Sequence, residues 1–423
     1  MLRVPLNIIR KIGAASLLLL ASQMILFLST WLNARRLGTE GYGRFGLAMS
    51  VSVCAAQFIQ WGMDQLLTVK FVRGSAEESR QLLGLLLRQK QLAGILVLFV
   101  AGVASAFWKP ADERELVFLG AVDGIVLGFT MPSLFDARGQ TALWQFFAFL
   151  RHAVYVGAVL TLAILFKDYF SPMAVLSMHA LAIMLEIILE QLWIQKSYGL
   201  PHWPVPPRAT LPLWREAAPM ALAMLAQQAL FFIGPPALQF FKRPGDMGAL
   251  YLSNQFSIAA ASFIAAPAAV IHARLAAAHD PAKSPAIFRR KVWIATLICA
   301  GAGIFYAFAF DVAAGKIASV FFTKYAAAPG IISIDAWRLA PIFASAPLAS
   351  ALICAGRLRA FALAHIFALL AGAAVAAIYI PASGGGAAAG AVAAGRFVFL
   401  VFCLLFFVLD RTPDAAHSSE QAA

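Results

Sequence analysis

Ionisable residues are few inside the long apolar stretches of this sequence, and each such charge near a bilayer centre costs at least about 2.5–3.5 kcal/mol on insertion scales. Arg151 and Arg396 are two of them. Guanidinium forks bind phosphate oxygens bidentately, so both are candidate contacts for a phosphorylated or acidic ligand. Snorkelling to an interface is the alternative for each. Acidic groups at the same depth suggest ion coupling, because a carboxylate at low dielectric can exchange a proton or hold a sodium ion. Asp123, His179, Glu186 and Glu190 form that candidate set. Glu186 and Glu190 stand one helical turn apart, and His179, seven residues earlier, shares nearly the same face. A structural ion pair between Arg151 and one of the two glutamates is the competing reading.

Neutral polar residues recur at helical spacing around these charges. Gln23 and Asn33 run with Ser22, Ser29 and Thr30; Gln57 and Gln60 run with Asp64. Gln227, Gln228, Asn254 and Gln255 lie at comparable depths later in the chain. Matching stripes of this kind suit the walls of a central polar cavity. Taken singly, each residue is equally served by a hydrogen bond between packed membrane helices.

The elements that must carry these residues are transmembrane helices. With 61% hydrophobic and 13% charged residues and a mean hydropathy of +0.80, the chain is far from the balance of a soluble domain. Apolar runs of span length recur from Ile12 to Leu409. We place about twelve spans, near residues 12–34, 45–68, 91–107, 116–134, 143–166, 172–194, 215–241, 249–271, 292–310, 337–355, 360–380 and 386–409. The distribution of Lys and Arg favours both termini in the cytoplasm. The first run is too long for a secretory signal core and lacks a small-residue cleavage site. Cys54, Cys299, Cys354 and Cys403 all fall in apolar runs, with no spacing that suggests a disulfide framework or zinc site. The net charge of +13 is explained by topology and anionic headgroups, without nucleic acid. No phosphate-binding glycine loop followed by Lys-Ser or Lys-Thr occurs, which argues against ATP hydrolysis.

Five prolines between Gly199 and Pro212 read as an extended linker, dividing the chain almost in half. The expected organisation is an all-α polytopic protein: a six-helix lobe at 1–198, a cytoplasmic linker at 199–214, a second six-helix lobe at 215–410 and a flexible tail at 411–423. An internal repeat supports it. RLGTEGYGRF at 36–45 parallels RPGDMGAL at 243–250, with Gly43 and Gly248 corresponding, and Asp136 to Thr141 parallels Ala355 to Arg359. Such repeats place a substrate path between two lobes related by a pseudo-twofold axis along the membrane normal. Lys70 to Lys90 reads as a basic amphipathic helix on the cytoplasmic interface. Pro235-Pro236 should break the seventh span.

The hairpin motif of Arg35, Arg36, Gly38, Glu40, Gly41 and Gly43, its echo at 244–251, the AGRLR turn at 355–359 and the IPASGGGA segment at 380–387 together resemble polysaccharide-export flippases of the Wzx type, in the multidrug/oligosaccharidyl-lipid/polysaccharide exporter superfamily. The resemblance covers nearly the whole chain. It implies translocation of an undecaprenyl-pyrophosphate-linked oligosaccharide across the bacterial inner membrane for O-antigen, capsule or exopolysaccharide export. It further implies membrane lipids, a polymerase and a chain-length regulator as partners, no cofactor and no enzymatic step, with a proton or sodium gradient as the driving force. A cation-coupled drug antiporter of the related MATE type shares the two-lobe plan, and a membrane glycosyltransferase or polymerase is a third reading. Short outside loops disfavour the last, apart from the stretch from Asp311 to Arg338.

Overall fold

The computed structural model describes residues 6–63, 67, 70–71, 75–107, 113–201, 205–278 and 285–409. Every regular element among them is helical. In chain order these are α1 (Leu6–Gln60), α2 (Ala76–Phe107), α3 (Arg114–Gly128), α4 (Pro132–Ala137), α5 (Thr141–Leu165), α6 (Pro172–Tyr198), α7 (Leu211–Phe231), α8 (Gly234–Phe240), α9 (Met247–Ala278), α10 (Pro285–Phe321), α11 (Ala328–Ala336), α12 (Leu339–Cys354) and α13 (Leu358–Val408). Among the described residues eight helical segments are long and apolar enough to cross a membrane, or nine if the bent α7–α8 pair counts as one. Large apolar side chains face outward from them, such as Phe99 on α2 and Phe305 on α10, 69% and 74% exposed. Lipid is the solvent that tolerates such a surface.

Two helices exceed any single crossing. α1 has 55 residues and α13 has 51, well over the roughly 20 that a bilayer core needs. Each is broken at one glycine with positive φ, Gly38 (φ 71°, ψ −178°) and Gly384 (φ 56°, ψ −130°). Each therefore runs over two of the expected spans. The hairpin motif at 35–45 is accordingly almost entirely helical: only Gly38 leaves helical geometry, and Glu40 pairs with Arg44 one turn on at 2.8 Å. Gly43 instead permits close approach between the chain halves. A Cβ there would lie 2.8 Å from Met247 Cβ and 2.9 Å from the Gly248 nitrogen.

The two halves of the chain touch at both ends of the bundle. At the Gly43 end, Tyr42 stacks edge-on against Tyr251 at 5.1 Å, and the Tyr325 hydroxyl donates to the Ala34 carbonyl at 2.8 Å. At the opposite end, Trp61 packs on Trp214 with ring centroids 4.7 Å apart, and its indole N–H donates to the Trp214 carbonyl at 3.1 Å. Lys70 pairs with Glu216 there at 2.6 Å. A large core cluster spans the seam, joining Tyr42 and Phe45 to Tyr251 and Ile332. A second fills the later half around Leu230, Phe361 and Phe399.

Local devices recur between the halves. After α4, Gly139 and Gln140 donate backward to Asp136 and Phe135; after α12, Gly356 and Arg357 donate to Ile353 and Leu352 in the same pattern. This is a Schellman-type helix stop. The neighbouring arginines then cap another helix end: Arg138 donates to the Ser197 carbonyl at 3.1 Å and Arg357 to that of Phe406 at 3.1 Å. Cations at helix C-termini satisfy orphan carbonyls and the helix dipole.

Three expectations are corrected. The second expected span is interrupted: its helix stops at Gln60, Trp61 and Gly62 both take positive φ, the described residues Met63, Leu67, Lys70 and Phe71 are again helical, and Asp64 lies outside the described residues. Residues 311–338 are not a long loop, because α10 continues to Phe321 and α11 follows. Lys90 is not a snorkelling anchor; it is buried inside α2, its ammonium donating to the carbonyls of Gly128 and Thr130 at 2.7 and 2.8 Å. The break expected at Pro235-Pro236 is present, with α7 and α8 meeting at 56°. The tail at 411–423 lies outside the described residues.

Candidate functional site: cavities and buried ionic groups

In the first half of the chain, five helical segments converge on buried charge. Asp123 of α3 is fully buried and accepts from Ser52 of α1 at 2.5 Å and from His179 of α6 at 2.9 Å. The His179 ring meets Tyr155 of α5 edge-on at 5.2 Å, and the Tyr155 hydroxyl accepts from Asn33 at 2.9 Å. Two turns farther along α6, Glu186 takes an ion pair from Arg151 at 2.5 Å, and Arg151 also donates to His152 at 3.2 Å. Glu190 accepts the backbone N–H of Met131 at 3.0 Å, where the α3–α4 break frees that donor. The expected coupling set is thus gathered on one side of α6. It splits into an Asp123–His179 pair and an Arg151–Glu186 pair rather than one cluster. Arg151 follows its structural alternative, because pairing two ions is far less costly than burying either alone.

The second half holds a network that the hydropathy reading missed. Asp335, at the end of α11, accepts from Ser253 and Ser257 of α9 at 3.0 and 2.6 Å and pairs with Arg338 at 2.9 Å. Arg338 is 1% exposed, lies 4.4 Å above the Phe231 ring and donates to Asn254 at 3.2 Å. Ser257 stands at the same 205-residue offset from Ser52 as Gly248 from Gly43, so a serine-to-aspartate contact is repeated in both halves. An acid and base spaced by three at Asp335 and Arg338, beside serines spaced by four, was the available signal. Averaged hydropathy assigned the pair to a loop.

Arg396 of α13 is 8% exposed and makes no hydrogen bond or ion pair with any described residue. Asn33 and Asn254 are engaged as interhelical bonds, which removes them from a cavity wall in this arrangement. Gln23, Gln57, Gln60, Gln227, Gln228 and Gln255 remain half-buried, with no side-chain hydrogen bond to a described residue. Free amides at partial exposure are compatible with a wet interior. Of the hairpin residues, Arg35 stacks over Trp31 at 5.3 Å, Gly43 lies in the seam, and Arg36 is exposed.

Apolar cavities flank the bent α7–α8 pair. One of about 990 Å³ is bounded by Cys54 of α1, Phe107 of α2, Phe232, Phe241 and Lys242 around α8, and Ala373 of α13. Another of about 600 Å³ lies between α1, α2 and α3 and shares Cys54, Phe232 and Pro236 with it. Residues from both halves of the chain line each. The slot is apolar throughout its depth, with the exposed Lys242 at its edge, chemistry that suits an amphiphile with a long apolar tail.

The chain matches the family described as polysaccharide biosynthesis protein over residues 8–272, more than half of its length, and belongs to that family. Its fold is the one seen in MATE family transporters and in the lipid II flippase. An inward-facing multidrug resistance MATE family transporter of the MOP superfamily superposes with a TM-score of 0.68 at 12% identity, covering 92% of this chain and 94% of its own. The lipid II flippase MurJ in its inward closed conformation also gives 0.68, at 10% identity over 93% and 87%. An outward-facing MATE family transporter of the MOP superfamily gives 0.55, at 12% identity over 94% of each chain. No curated protein matches the sequence.

Proposed function

We propose that the protein is a flippase that carries an undecaprenyl-pyrophosphate-linked oligosaccharide across the bacterial inner membrane by alternating access, in two six-helix lobes joined near residues 199–214, with both termini cytoplasmic. The observation that carries this reading is the apolar slot beside the bent α7–α8 pair, built from both halves and of a size for a polyprenyl segment. Arg396 is the cation assigned to the pyrophosphate, because it is buried without a carboxylate partner. Arg151 would reach a head group only after leaving Glu186. The free glutamine amides would meet sugar hydroxyls. The Asp123–His179 pair with Glu186 and Glu190 is assigned to coupling with a proton or sodium gradient. Drug antiport is the second reading: a cationic drug needs a buried carboxylate without a basic ion-pair partner, and while Asp123, Glu186 and Asp335 each have one, Glu190, bonded to the Met131 N–H, is the group it would use.

The test is lipid-linked oligosaccharide in cells lacking the protein, complemented with wild type, Arg396→Ala and Arg151→Ala at equal membrane levels. Intermediates should accumulate on the cytoplasmic face without the protein and clear with wild type, and Arg396→Ala should fail to clear them. Absence of accumulation, together with new sensitivity to cationic drugs, would replace this reading with antiport.

A further inference from the structure

The later half of the chain contains more buried positive charge than it neutralises. Arg338, His365 and Arg396 are 1%, 2% and 8% exposed. Four of their polar atoms have no partner among the described residues: Arg338 Nη2, Arg396 Nε and both ring nitrogens of His365. The packing joins them. Arg338 lies over Phe231; the next residue back, Leu230, packs on Gly395 beside Arg396; and Phe399, one turn after Arg396, stacks on the His365 ring at 4.0 Å. The acid among these groups is Asp335, already paired with Arg338 and bonded to two serines. With His365 neutral, two guanidinium groups and one carboxylate leave one uncancelled positive charge. Buried charges are paired, and buried donors are satisfied, almost without exception in folded proteins.

We infer that Arg338, His365 and Arg396 form an internal anion site that holds one compact monovalent anion, chloride in the simplest case. Guanidinium donors and an imidazole N–H supply the hydrogen bonds, and the single negative charge closes the balance. The aromatic rings of Phe231, Phe361 and Phe399 exclude water around it. The same chemistry would accept a phosphate oxygen of a lipid head. Only that part of the inference rests on the proposed function.

The probe is halide itself. Purified protein transferred from sodium chloride to sodium gluconate should lose about 3 °C in thermal midpoint, as expected for loss of a bound ligand, and recover it with chloride or bromide. Arg396→Met and His365→Phe should abolish the difference between the salts. Should either variant fail to fold, bromide-soaked wild-type crystals decide, with an anomalous peak expected between the three side chains. Equal midpoints in the two salts, or a peak elsewhere, overturn the site. Undecaprenyl pyrophosphate separates the sources: if it displaces bromide, the lipid head uses the same site; if bromide stays, the ion is a resident counter-charge. A retained bromide peak in a protein that fails to clear lipid intermediates would overturn the flippase reading and leave the anion site standing.

Discussion

Gly43→Ala adds one methyl group where the two halves of the chain meet, and its effect can be worked from the geometry. The new carbon would stand 2.8 Å from Met247 Cβ and 2.9 Å from the Gly248 nitrogen. Unstrained contacts of this type need about 3.5–4.0 Å, so the helices must separate by about 1 Å. Backbone lies on the far side, and no flexible side chain can yield. Overpacking of this kind costs about 1–3 kcal/mol. The cost falls only on the arrangement in which α1 and α9 touch, whereas the gain of roughly 1 kcal/mol from alanine in a helix applies to every arrangement. The fold should therefore survive while the population with this end open rises about 5- to 150-fold. The assay is labelling of a single cysteine placed at Ala249, buried in this seam, in a background without the four native cysteines. An impermeant maleimide applied to each side of membrane vesicles should react faster from one side only. Unchanged labelling in a normally folded variant would refute the reasoning, because the seam would then not be a contact that opens.

Three more outcomes follow from buried or bridging groups. Lys90→Met removes the donor from the Gly128 and Thr130 carbonyls and should cost about 1–3 kcal/mol, read as a lower thermal midpoint in detergent. Asp335→Asn leaves Arg338 buried without its counter-ion and should cost about 3–5 kcal/mol, seen as loss of the monodisperse peak on size exclusion; Asp335→Leu with Arg338→Met should be milder than the single change. Lys70 and Glu216 are 37% and 47% exposed, so breaking their pair should cost no more than about 1 kcal/mol. Glu216→Lys should nonetheless speed labelling at the Trp61–Trp214 end through like-charge repulsion, and adding Lys70→Glu should reverse it.

The membrane class and the break at Pro235-Pro236 were legible because each rests on local rules: apolar runs of span length and proline inside a helix. That His179, Glu186 and Glu190 share one face of α6 was legible for the same reason, since helical spacing puts them there. Partnership was not. Whether Arg151 serves a ligand or Glu186, and whether Asn33 faces a cavity or Tyr155, depends on which helices become neighbours, information that spacing within one helix does not contain. Lys90 and Arg338 were misplaced for a related reason. Hydropathy counts a buried cation as evidence for water, yet Lys90 finds carbonyls freed by the broken end of α3, and Arg338 finds a carboxylate three residues away. Gly43 belongs to the hairpin motif in the sequence, and its use as a contact surface appears only once α9 lies against it.

The repeated contact from serine to aspartate ends on different bases in the two halves: His179 beside Asp123, and Arg338 beside Asp335. The first aspartate is held by one serine and one imidazole, the second by two serines and a guanidinium that also reaches Asn254 and lies on the Phe231 ring. One copy of the motif is therefore a light latch and the other a many-pointed clamp. The helices around Ser52 can part by breaking fewer contacts than those around Ser257, which makes the first half the readier to move and the second a frame to move against.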